Sequence, residues 1–265
     1  MKQKICRIGA RSLGVSLEKG LVESGRYLPK DFFLTRRTIN KLATIKKQGF
    51  NVSSNNIDSL KKADIIIIAV LPQRINSVLN EIKNEINNQQ LLISLVSGVT
   101  TENIINIIGD KTPIIRAMPN TAISIGQSMT CITTLPKWKN QLQKARDIFN
   151  LVGQTEVIPE EKMTSATALC ACGIAFFLRA IRAASQGGNE IDFHADEALR
   201  MAAQTAFGAA GLLLTNNSHP EDEIDKVTSP KGCTIAGLNE MEHNGFSSAF
   251  IKGITVSAEK AKDLY

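Results

Sequence analysis

The stretch KICRIGARSLGVSLEKGLVESG, residues 4–25, decides the fold because it has the form of a dinucleotide-binding turn. A short apolar run leads into a glycine turn, and a helix pattern follows to about Glu23. The pattern requires glycine at positions 9 and 11 and a small residue at 14, for a tight turn, close approach of a pyrophosphate and close helix packing. Gly9 and Gly14 are present, whereas Arg11 stands in the middle position. The stretch therefore predicts a strand, a turn and a helix whose N–H groups favour phosphate, with one altered residue in the turn.

The first 158 residues alternate between strand and helix patterns. The run ADIIIIAV, residues 63–70, is almost wholly apolar and β-branched, which is typical of a central parallel strand covered on both faces. Strands separated by helices predict an α/β domain with a doubly wound, mostly parallel sheet over residues 1–158. Residues 159–265 show helical patterns alone and form a second, all-α domain. Within it, residues 166–184 are apolar almost all round, which predicts burial against another subunit.

Composition excludes several classes of partner. The net charge of +6 is mild and aromatic residues make up 5% of the chain, with no basic and aromatic block, so no nucleic-acid partner is expected. The apolar run 65–71 is far too short to span a bilayer, and no membrane partner is expected. Five cysteines without framework spacing favour reduced thiols and a cytoplasmic location. No second cysteine pair or nearby histidine completes a metal site, so no metal is predicted.

The end of the second predicted strand indicates which dinucleotide binds. NAD-specific folds place an acidic residue there, on the ribose hydroxyls. This chain has Arg36 and Arg37 in the sequence TRRT, and guanidinium groups bind phosphate in a bidentate manner; a solvated basic turn is the alternative. Joined to the first turn, the arginines favour NADP(H), with NAD(H) as the second option. Turn-forming or polar residues follow three further strands, in AVLPQ (69–73), LVSGVT (95–100) and RAMPNT (116–121), at the sheet edge where ligands bind.

The most specific segment of the helical part is KVTSPKGCTIAGLNEME, residues 226–242. Ser229 to Thr234 form a tight loop immediately before a helix, and its backbone N–H groups would converge on an anion the size of a carboxylate. Thr234 stands at the predicted cap, where its hydroxyl can either cap the helix or contact a ligand.

In this order the motifs closely resemble those of the pyrroline-5-carboxylate reductase family. The landmarks run from about residue 5 to 264 and include IGARSLG, TRRT, ADIIIIAVLP, SLVSGVT, RAMPNT, QTAFGAAGLL and VTSPKGCTIAGL. The resemblance implies a Rossmann-type N-terminal domain and a C-terminal helical domain for substrate binding and dimerisation. It implies a homodimer through the C-terminal helices, in some members assembled into a larger ring. It also implies NADPH-dependent reduction of 1-pyrroline-5-carboxylate, a small cyclic imine carboxylate, to L-proline by hydride transfer to the iminium carbon.

The resemblance also carries site residues over by position. The residues implied for the cofactor are Gly9, Ala10, Arg11, Ser12, Leu13, Arg36, Arg37, Asn56, Ala69, Val70, Leu71, Pro72, Val96, Ser97, Gly98 and Asn120. The last four of these would lie near the nicotinamide. The residues implied for the substrate carboxylate are Ser229, Lys231, Gly232, Cys233 and Thr234. Ser229 and Thr234 are the catalytic candidates, with Thr234 approaching the imine nitrogen.

The chain also departs from the family pattern at several site positions. Arg11 and Ser12 replace a small turn residue and an asparagine, and Leu71 replaces the usual lysine before Pro72. Ala122 replaces a proline, the SGSGPA turn reads CACGIA at 170–175, and Lys231 replaces a loop glycine. These changes leave open an alternative, a diverged paralogue with little or no reductase activity. Such a paralogue would act as a nucleotide-binding or regulatory protein, or would reduce another cyclic imine.

Overall fold

A computed structural model describes residues 3–10, 12–263 and 265, and for residues 12–14 only the backbone is considered. Contacts within the chain divide it into two units. The first is Met1–Cys172 with Ser257–Tyr265, and the second is Gly173–Val256. The boundary expected from the sequence, between residues 158 and 159, lies just after the last strand.

The first unit is built on an eight-stranded sheet in the order β3-β2-β1-β4-β5-β6-β7-β8. All neighbouring strands are parallel except β6 and β7, which are antiparallel. Because β1 lies between β2 and β4, the strand order reverses at β1, and ligands of such sheets bind at the carboxyl ends of the strands at this point. The strands are β1 Ile5–Ile8, β2 Phe32–Thr35, β3 Asn51–Ser53, β4 Ile65–Ile68, β5 Leu91–Ser94, β6 Ile114–Met118, β7 Ser128–Thr134 and β8 Gly153–Val157.

The helices cover both faces of this sheet and then continue alone through the second unit. In the first unit they are α1 Ser12–Glu23, α2 Ala43–Lys47, α3 Asn56–Leu60, α4 Ile75–Ile82, α5 Thr101–Ile108, α6 Leu142–Phe149 and α7 Met163–Ala166. A π-helical turn, Thr167–Cys172, follows α7. The remaining helices are α8 Gly173–Glu190, α9 Ala195–Asn216, α10 Pro220–Lys226, α11 Cys233–His243 and α12 Phe246–Ala261.

Alternate residues of the central strand β4 pack on opposite faces of the sheet, as a doubly wound fold requires. Ile65 and Ile67 join a buried cluster with α1 and α6, whereas Ile66 and Ile68 join one with α4 and α5. The predicted fold class, a Rossmann-type, mostly parallel α/β sheet followed by a helical region, is confirmed.

Several elements differ in detail from the sequence prediction. The sequence pattern of residues 137–152 predicts a single helix, whereas the structure has a 3₁₀ segment, Pro136–Gln141, and is α-helical only from Leu142. The pattern of residues 234–264 predicts a long helical stretch, which the structure divides into α11 and α12 at Gly245, whose φ of 78° ends a helix. Two short helices, α3 and α10, were not predicted because five and seven residues are too few to show a periodicity.

A fully buried ion pair joins β1 to α1. Arg7 Nη1 lies 3.1 Å from Glu18 Oε1, and the two side chains are 2% and 0% exposed. Burial raises the pKa of the Glu18 carboxyl, and this effect exceeds the opposing attraction of Arg7. Arg7, the charged residue within the apolar run of β1, therefore has its ion-pair partner, Glu18, inside the same core.

The second unit leaves large apolar side chains exposed along its helices. They include Phe177, Leu178, Phe207, Leu214 and Ile251. The continuous helical segment Glu160–Glu190 is long and apolar enough to cross a membrane by length and composition alone, and only 22% of its most apolar window is buried in the single chain. An exposed apolar helix of this kind is also typical of a subunit interface.

Candidate cofactor and substrate sites

The turn after β1 brings three strand ends together. Gly9 has a φ of 95°, and a Cβ atom there would lie 2.6 Å from the carbonyl oxygen of Ala69 and 2.7 Å from Val70 Cγ1. The N–H groups of Gly9 and Ala10 both donate to the carbonyl of Thr35, at 3.2 and 3.0 Å. Glycine is thus required at position 9 by conformation and by space. Arg11 lies outside the described residues, and the side chains of Ser12 and Leu13 are outside them as well.

A cavity of about 300 Å³ opens at the carboxyl ends of β1, β2 and β4. It brings together six of the residues implied for the cofactor: Gly9, Arg36, Arg37, Asn56, Val70 and Leu71. The remaining residues along its wall are Ile8, Thr35, Thr38, Ser54, Arg74 and Val78. The wall therefore combines three guanidinium groups with hydroxyls, and no carboxylate belongs to the lining residues.

The charges of this cavity suit a phosphate group. Within the described ranges 3–10, 12–263 and 265, none of Arg36, Arg37 and Arg74 forms a salt bridge. Arg36 Nη1 donates to the carbonyl oxygen of Ala10 at 3.3 Å, which holds this side chain beside the first turn. Three arginines with no competing carboxylate are suited to a dianion such as the 2′-phosphate of NADP(H).

Asn56, the first residue of α3, is fixed in the cavity wall by both ends of its amide. Its Oδ1 accepts a hydrogen bond from Thr35 Oγ1, and its Nδ2 donates to the two carboxylate oxygens of Glu81 at 2.9 and 3.1 Å. The side chain is therefore locked between β2 and α4 before any ligand arrives. Glu81 was not expected from the sequence, because it lies 25 residues away from Asn56 on another helix.

Arg74 is the cavity residue that sequence reasoning missed. It is the last residue of the 3₁₀ turn Pro72–Arg74, and its N–H donates to the carbonyl of Leu71 at 2.8 Å. The turn carries the chain from the end of β4 around to α4 and so brings Arg74 back to the strand ends. The signal available in the sequence was a cation three residues after Leu71, the position where the family usually has lysine.

A second group of predicted residues lies at the ends of β5 and β6. Ser97 Oγ contacts Met118 Sδ at 3.8 Å, and Gly98 turns the chain with a φ of 79°. Asn120 is 7% exposed; its Oδ1 accepts from the N–H of Ala122 at 3.1 Å, and its Nδ2 donates to the carbonyl of Cys170 at 3.2 Å. Val96 is buried immediately before this turn. These four residues thus occupy neighbouring strand ends.

The carboxylate of Glu160 connects the elements that carry this second group of residues. Its Oε1 accepts from Arg116 Nη1 at 2.9 Å and from the N–H of Thr101, the first residue of α5, at 2.7 Å. Arg116 is buried, and its Nε has no hydrogen-bond partner within the described part of the chain. One carboxylate therefore joins β6, the helix after the SGVT turn and the beginning of the 160–190 helical segment.

The loop 229–234 lies in the second unit and has the backbone of an anion-binding turn. Lys231 has a φ of 59°, and the N–H of Gly232 donates to the carbonyl of Ser229 at 2.9 Å. A Cβ atom at Gly232 would lie 2.5 Å from Ser229 Oγ and 3.0 Å from the carbonyl oxygen of Ser229, so a larger residue there would require the serine side chain to rotate and the loop to shift. The N–H groups of Cys233 and Thr234 open α11 with no acidic residue in its first turn.

The expected cap of this helix is wrong by two residues. Gly232 is the N-cap of α11, with a φ of −74° and a ψ of 162°, and Thr234 is the second residue of the helix. The tight approach of Gly232 to Ser229 ends the loop earlier than the residue types suggested. Thr234 therefore has no capping role, and its hydroxyl is left for other partners.

Two larger cavities, of about 740 and 490 Å³, lie at the end of the sheet opposite to the carboxyl ends of β1, β2 and β4. Their walls include Gln3, Tyr27, Lys62 and Gln90, close to the amino ends of the strands. None of the residues implied for cofactor or substrate belongs to either wall.

Comparisons with known proteins agree with this geometry. A family model described as pyrroline-5-carboxylate reductase dimerisation matches residues 160–264, and one described as NADP oxidoreductase, coenzyme F420-dependent, matches residues 4–98. The chain is 50% identical to pyrroline-5-carboxylate reductase 1 of Dictyostelium discoideum over 97% of its own length. It spans about half of that relative, 49% of its length. It is 47% identical to pyrroline-5-carboxylate reductase 2 of the same organism, over 98% of this chain and 92% of that one.

A solved structure gives the same result. Plasmodium falciparum pyrroline carboxylate reductase with NADP bound superposes with a TM-score of 0.90 at 26% identity, covering 100% of this chain and 99% of that one. The resemblance noted from the motifs is confirmed. By its sequence relatives, its dimerisation segment and its fold, the chain belongs to the pyrroline-5-carboxylate reductase family.

Proposed function

We propose that this chain catalyses the NADPH-dependent reduction of 1-pyrroline-5-carboxylate to L-proline. The observation that carries the proposal is the 47% identity, over 92% of its length, with a relative named for this reaction. The departures at Arg11, Leu71, Ala122, 170–174 and Lys231 left open a diverged paralogue with little or no reductase activity, or one that reduces another cyclic imine. Nothing in the described fold or in the comparisons favours this alternative.

The cavity at β1, β2 and β4 fits the adenosine end of NADP(H). Arg36, Arg37 and Arg74 would bind the 2′-phosphate, because they are the only charged groups among the described residues that line it. Gly9 would maintain the tight turn at this strand end, because a side chain there would collide with Ala69 and Val70. Asn56, already fixed by Thr35 and Glu81, would present a rigid wall to the ribose.

The residues at the ends of β5 and β6 would position the nicotinamide. When bound, this ring supplies a hydride to the iminium carbon of the substrate. Ser97 and Asn120 lie on neighbouring strand ends, and Asn120 is held rigidly by three hydrogen bonds that involve its backbone and both side-chain atoms. Placement of the two reacting carbons is the main requirement, because a protonated imine accepts hydride without a further catalyst.

The loop 229–234 would bind the substrate carboxylate. The N–H groups at the start of α11 and the Lys231 ammonium would attract the anion, and the helix dipole adds to this attraction. The Ser229 and Thr234 hydroxyls would complete the site, with Thr234 hydrogen-bonded at the imine nitrogen. Its release from capping is what supports this role.

The test of the proposed function is NADPH oxidation by the purified protein with pyrroline-5-carboxylate as substrate. We expect turnover that depends on both compounds, and NADPH binding in a fluorescence titration. A protein that neither oxidises NADPH nor binds it would refute the proposal. Binding without turnover would instead support a different substrate or a regulatory role.

The role of Thr234 is tested by Thr234→Ala, with the exposed helix residue Thr255→Ala as the matched control. Loss of a hydrogen bond to the reacting imine should lower kcat by about tenfold to a hundredfold and leave NADPH binding intact. Unchanged turnover would remove Thr234 from the site.

The role of the arginines is tested by the ratio of kcat/KM with NADPH to kcat/KM with NADH. Arg74→Ala should lower this ratio about tenfold by raising the KM for NADPH alone, since NADH has no 2′-phosphate. Lys83→Ala, at the other end of α4, is the control for net charge. An equal loss with both cofactors would mean that Arg74 contacts another part of the dinucleotide.

The proposal extends to assembly and location. A homodimer would form through the dimerisation segment, residues 160–264, and would cover the exposed side chains of α8 and α9. A larger ring of dimers and a cytoplasmic location complete the proposal. Sedimentation velocity over a range of protein concentrations distinguishes a dimer from a larger assembly.

A further inference from the structure

Two cysteine side chains are in contact next to the second group of site residues, at the ends of β5 and β6. Cys131 lies on β7 and Cys170 in the π-helical turn, 39 residues later, with their Sγ atoms 3.8 Å apart. Both pack with Met118, Met163 and Ala166 in a small cluster of the first unit. Cys131 is 5% exposed, whereas Cys170 is half-buried and can be reached from solvent.

The two thiols differ in acidity. The hydrogen bond donated by Cys131 lowers the pKa of Cys170 to about 7, and the same bond, together with burial, raises the pKa of Cys131. Cys170 is therefore the more acidic thiol of the pair, and Cys131 is the one that holds its proton more tightly. A partly exposed thiolate next to a second thiol is the arrangement of a reactive cysteine pair.

Cys6, another cysteine of the sheet, differs from this pair because it is completely shielded from solvent. Cys6 is completely buried on β1, and burial raises its pKa to about 12. A thiol of this kind is inert towards oxidants. Cys172 lies only two residues from Cys170 on the same helical turn, but the sulfur in contact with Cys170 is that of Cys131.

We propose that Cys131 and Cys170 are a redox-sensitive modification site, which a small disulfide such as glutathione disulfide converts into an intrachain disulfide. The sulfurs need to approach from 3.8 Å to about 2.05 Å for the bond to form.

The reaction proceeds as two thiol–disulfide exchanges. The Cys170 thiolate attacks one sulfur of the oxidant, whose S–S bond breaks, giving a mixed disulfide and one released thiolate. That thiolate takes up the proton of Cys131, and the Cys131 sulfur then attacks the Cys170 sulfur and releases the second thiolate, which takes a proton from water. Counted from the Cys170 thiolate, the two cysteines lose two electrons and one proton, and the oxidant is reduced to two thiols.

The new bond would act on the proposed nicotinamide site through two existing contacts. The carbonyl of Cys170 accepts from Asn120 Nδ2 at 3.2 Å. Cys131 is the register partner of Met118, whose sulfur contacts Ser97 Oγ. Drawing Cys170 towards β7 shifts its carbonyl and so displaces Asn120. This effect on turnover rests on the proposed function, whereas formation of the disulfide does not.

The first test maps the bond in the full-length protein. Wild-type protein is treated with glutathione disulfide, free thiols are blocked with N-ethylmaleimide, and the peptides are identified by mass spectrometry. We expect a Cys131–Cys170 link that dithiothreitol removes, with the link retained in Cys172→Ser and absent in Cys131→Ala. Full alkylation of both cysteines in the wild type, or a link through Cys172, would overturn the proposal.

The second test measures turnover of the same samples. Oxidised wild type should show a kcat lowered about tenfold, because small displacements in a site have large effects on rate, and dithiothreitol should restore it. Cys131→Ala should keep its rate under oxidant. A mapped disulfide with unchanged kcat would refute the connection to Asn120. Absence of turnover in the reduced protein would count against the proposed function and leave the mapping result intact.

Discussion

The buried pair of Arg7 and Glu18 gives the most demanding test of the energetics of this fold. Glu18→Leu leaves the Arg7 guanidinium in the core, 2% exposed, without its carboxylate. Removing one partner of a buried pair costs about 3–5 kcal/mol, which is a large part of the 5–15 kcal/mol that stabilises a typical domain. We therefore expect Glu18→Leu to lower the free energy of unfolding by roughly 4 kcal/mol.

The double variant Arg7→Met with Glu18→Leu should behave in the opposite way. Burial raises the pKa of the Glu18 carboxyl despite the neighbouring Arg7, and the desolvation of a buried ion pair often exceeds the attraction between its charges. Replacing both by apolar side chains of similar volume should therefore be neutral or add about 1–4 kcal/mol to the free energy of unfolding. The exposed pair Lys61–Glu85 supplies the control, since Lys61→Met should change the free energy of unfolding by less than about 1 kcal/mol.

The sign of the pH dependence follows from the same pKa. A carboxyl whose pKa is higher in the folded than in the unfolded chain binds its proton more tightly when folded. This contribution is fully present below the unfolded pKa and is lost as the pH rises through the folded pKa. The wild type should therefore lose stability relative to the double variant over that interval.

Urea unfolding followed by tryptophan fluorescence measures these differences. The only tryptophan of the chain, Trp138, is buried on the α4 and α5 face of the sheet, in the same unit as the ion pair. All variants are compared at one protein concentration, since assembly contributes to apparent stability. A Glu18→Leu variant within 1 kcal/mol of wild type, or a double variant as unstable as the single one, would refute the reasoning about desolvation.

Three further predictions concern the sites. Gly9→Ala should abolish NADPH binding and destabilise the fold by about 1–3 kcal/mol, because its φ and its close neighbours exclude a side chain; normal binding in a fluorescence titration would contradict this. The rate of Cys170 alkylation by iodoacetamide should rise with a midpoint near pH 7, and Cys131→Ala should move the midpoint upward; an unchanged midpoint would show that the hydrogen bond does not set the pKa. Glu160→Ala should lower the free energy of unfolding by about 2–3 kcal/mol, because it leaves the buried Arg116 without a partner. Glu160→Gln keeps one acceptor oxygen and should lower it less. Equal losses for the two variants in urea unfolding would contradict the role of the hydrogen bonds.

The sheet could be predicted from the sequence because its determinants are local. Runs such as ADIIIIAV have the composition of a strand covered on both faces, and TRRT follows directly on β2, so both features are visible in a few consecutive residues. Family motifs then identified the residues at the strand ends, six of which the structure gathers around one cavity.

The features that escaped prediction depend on distant residues. Glu81 fixes Asn56 from another helix, Glu160 joins β6 to α5, and Cys131 meets Cys170 across 39 residues. No periodicity or spacing encodes these contacts, since each needs the sheet order and the path of a connecting turn. The cap of α11 was misplaced for a related reason, because the steric limit at Gly232 is set by the fold of its loop rather than by residue type.

Because α8, α9 and α12 carry exposed apolar side chains, the stability of this protein depends on its concentration. Phe177, Phe207 and Ile251 are in contact with water in the isolated chain and would be shielded in the proposed homodimer. Every association-linked gain in stability grows with the logarithm of the protein concentration. At low cellular abundance the separated subunits would present these surfaces to proteases and chaperones, so expression level itself would influence how long each copy survives.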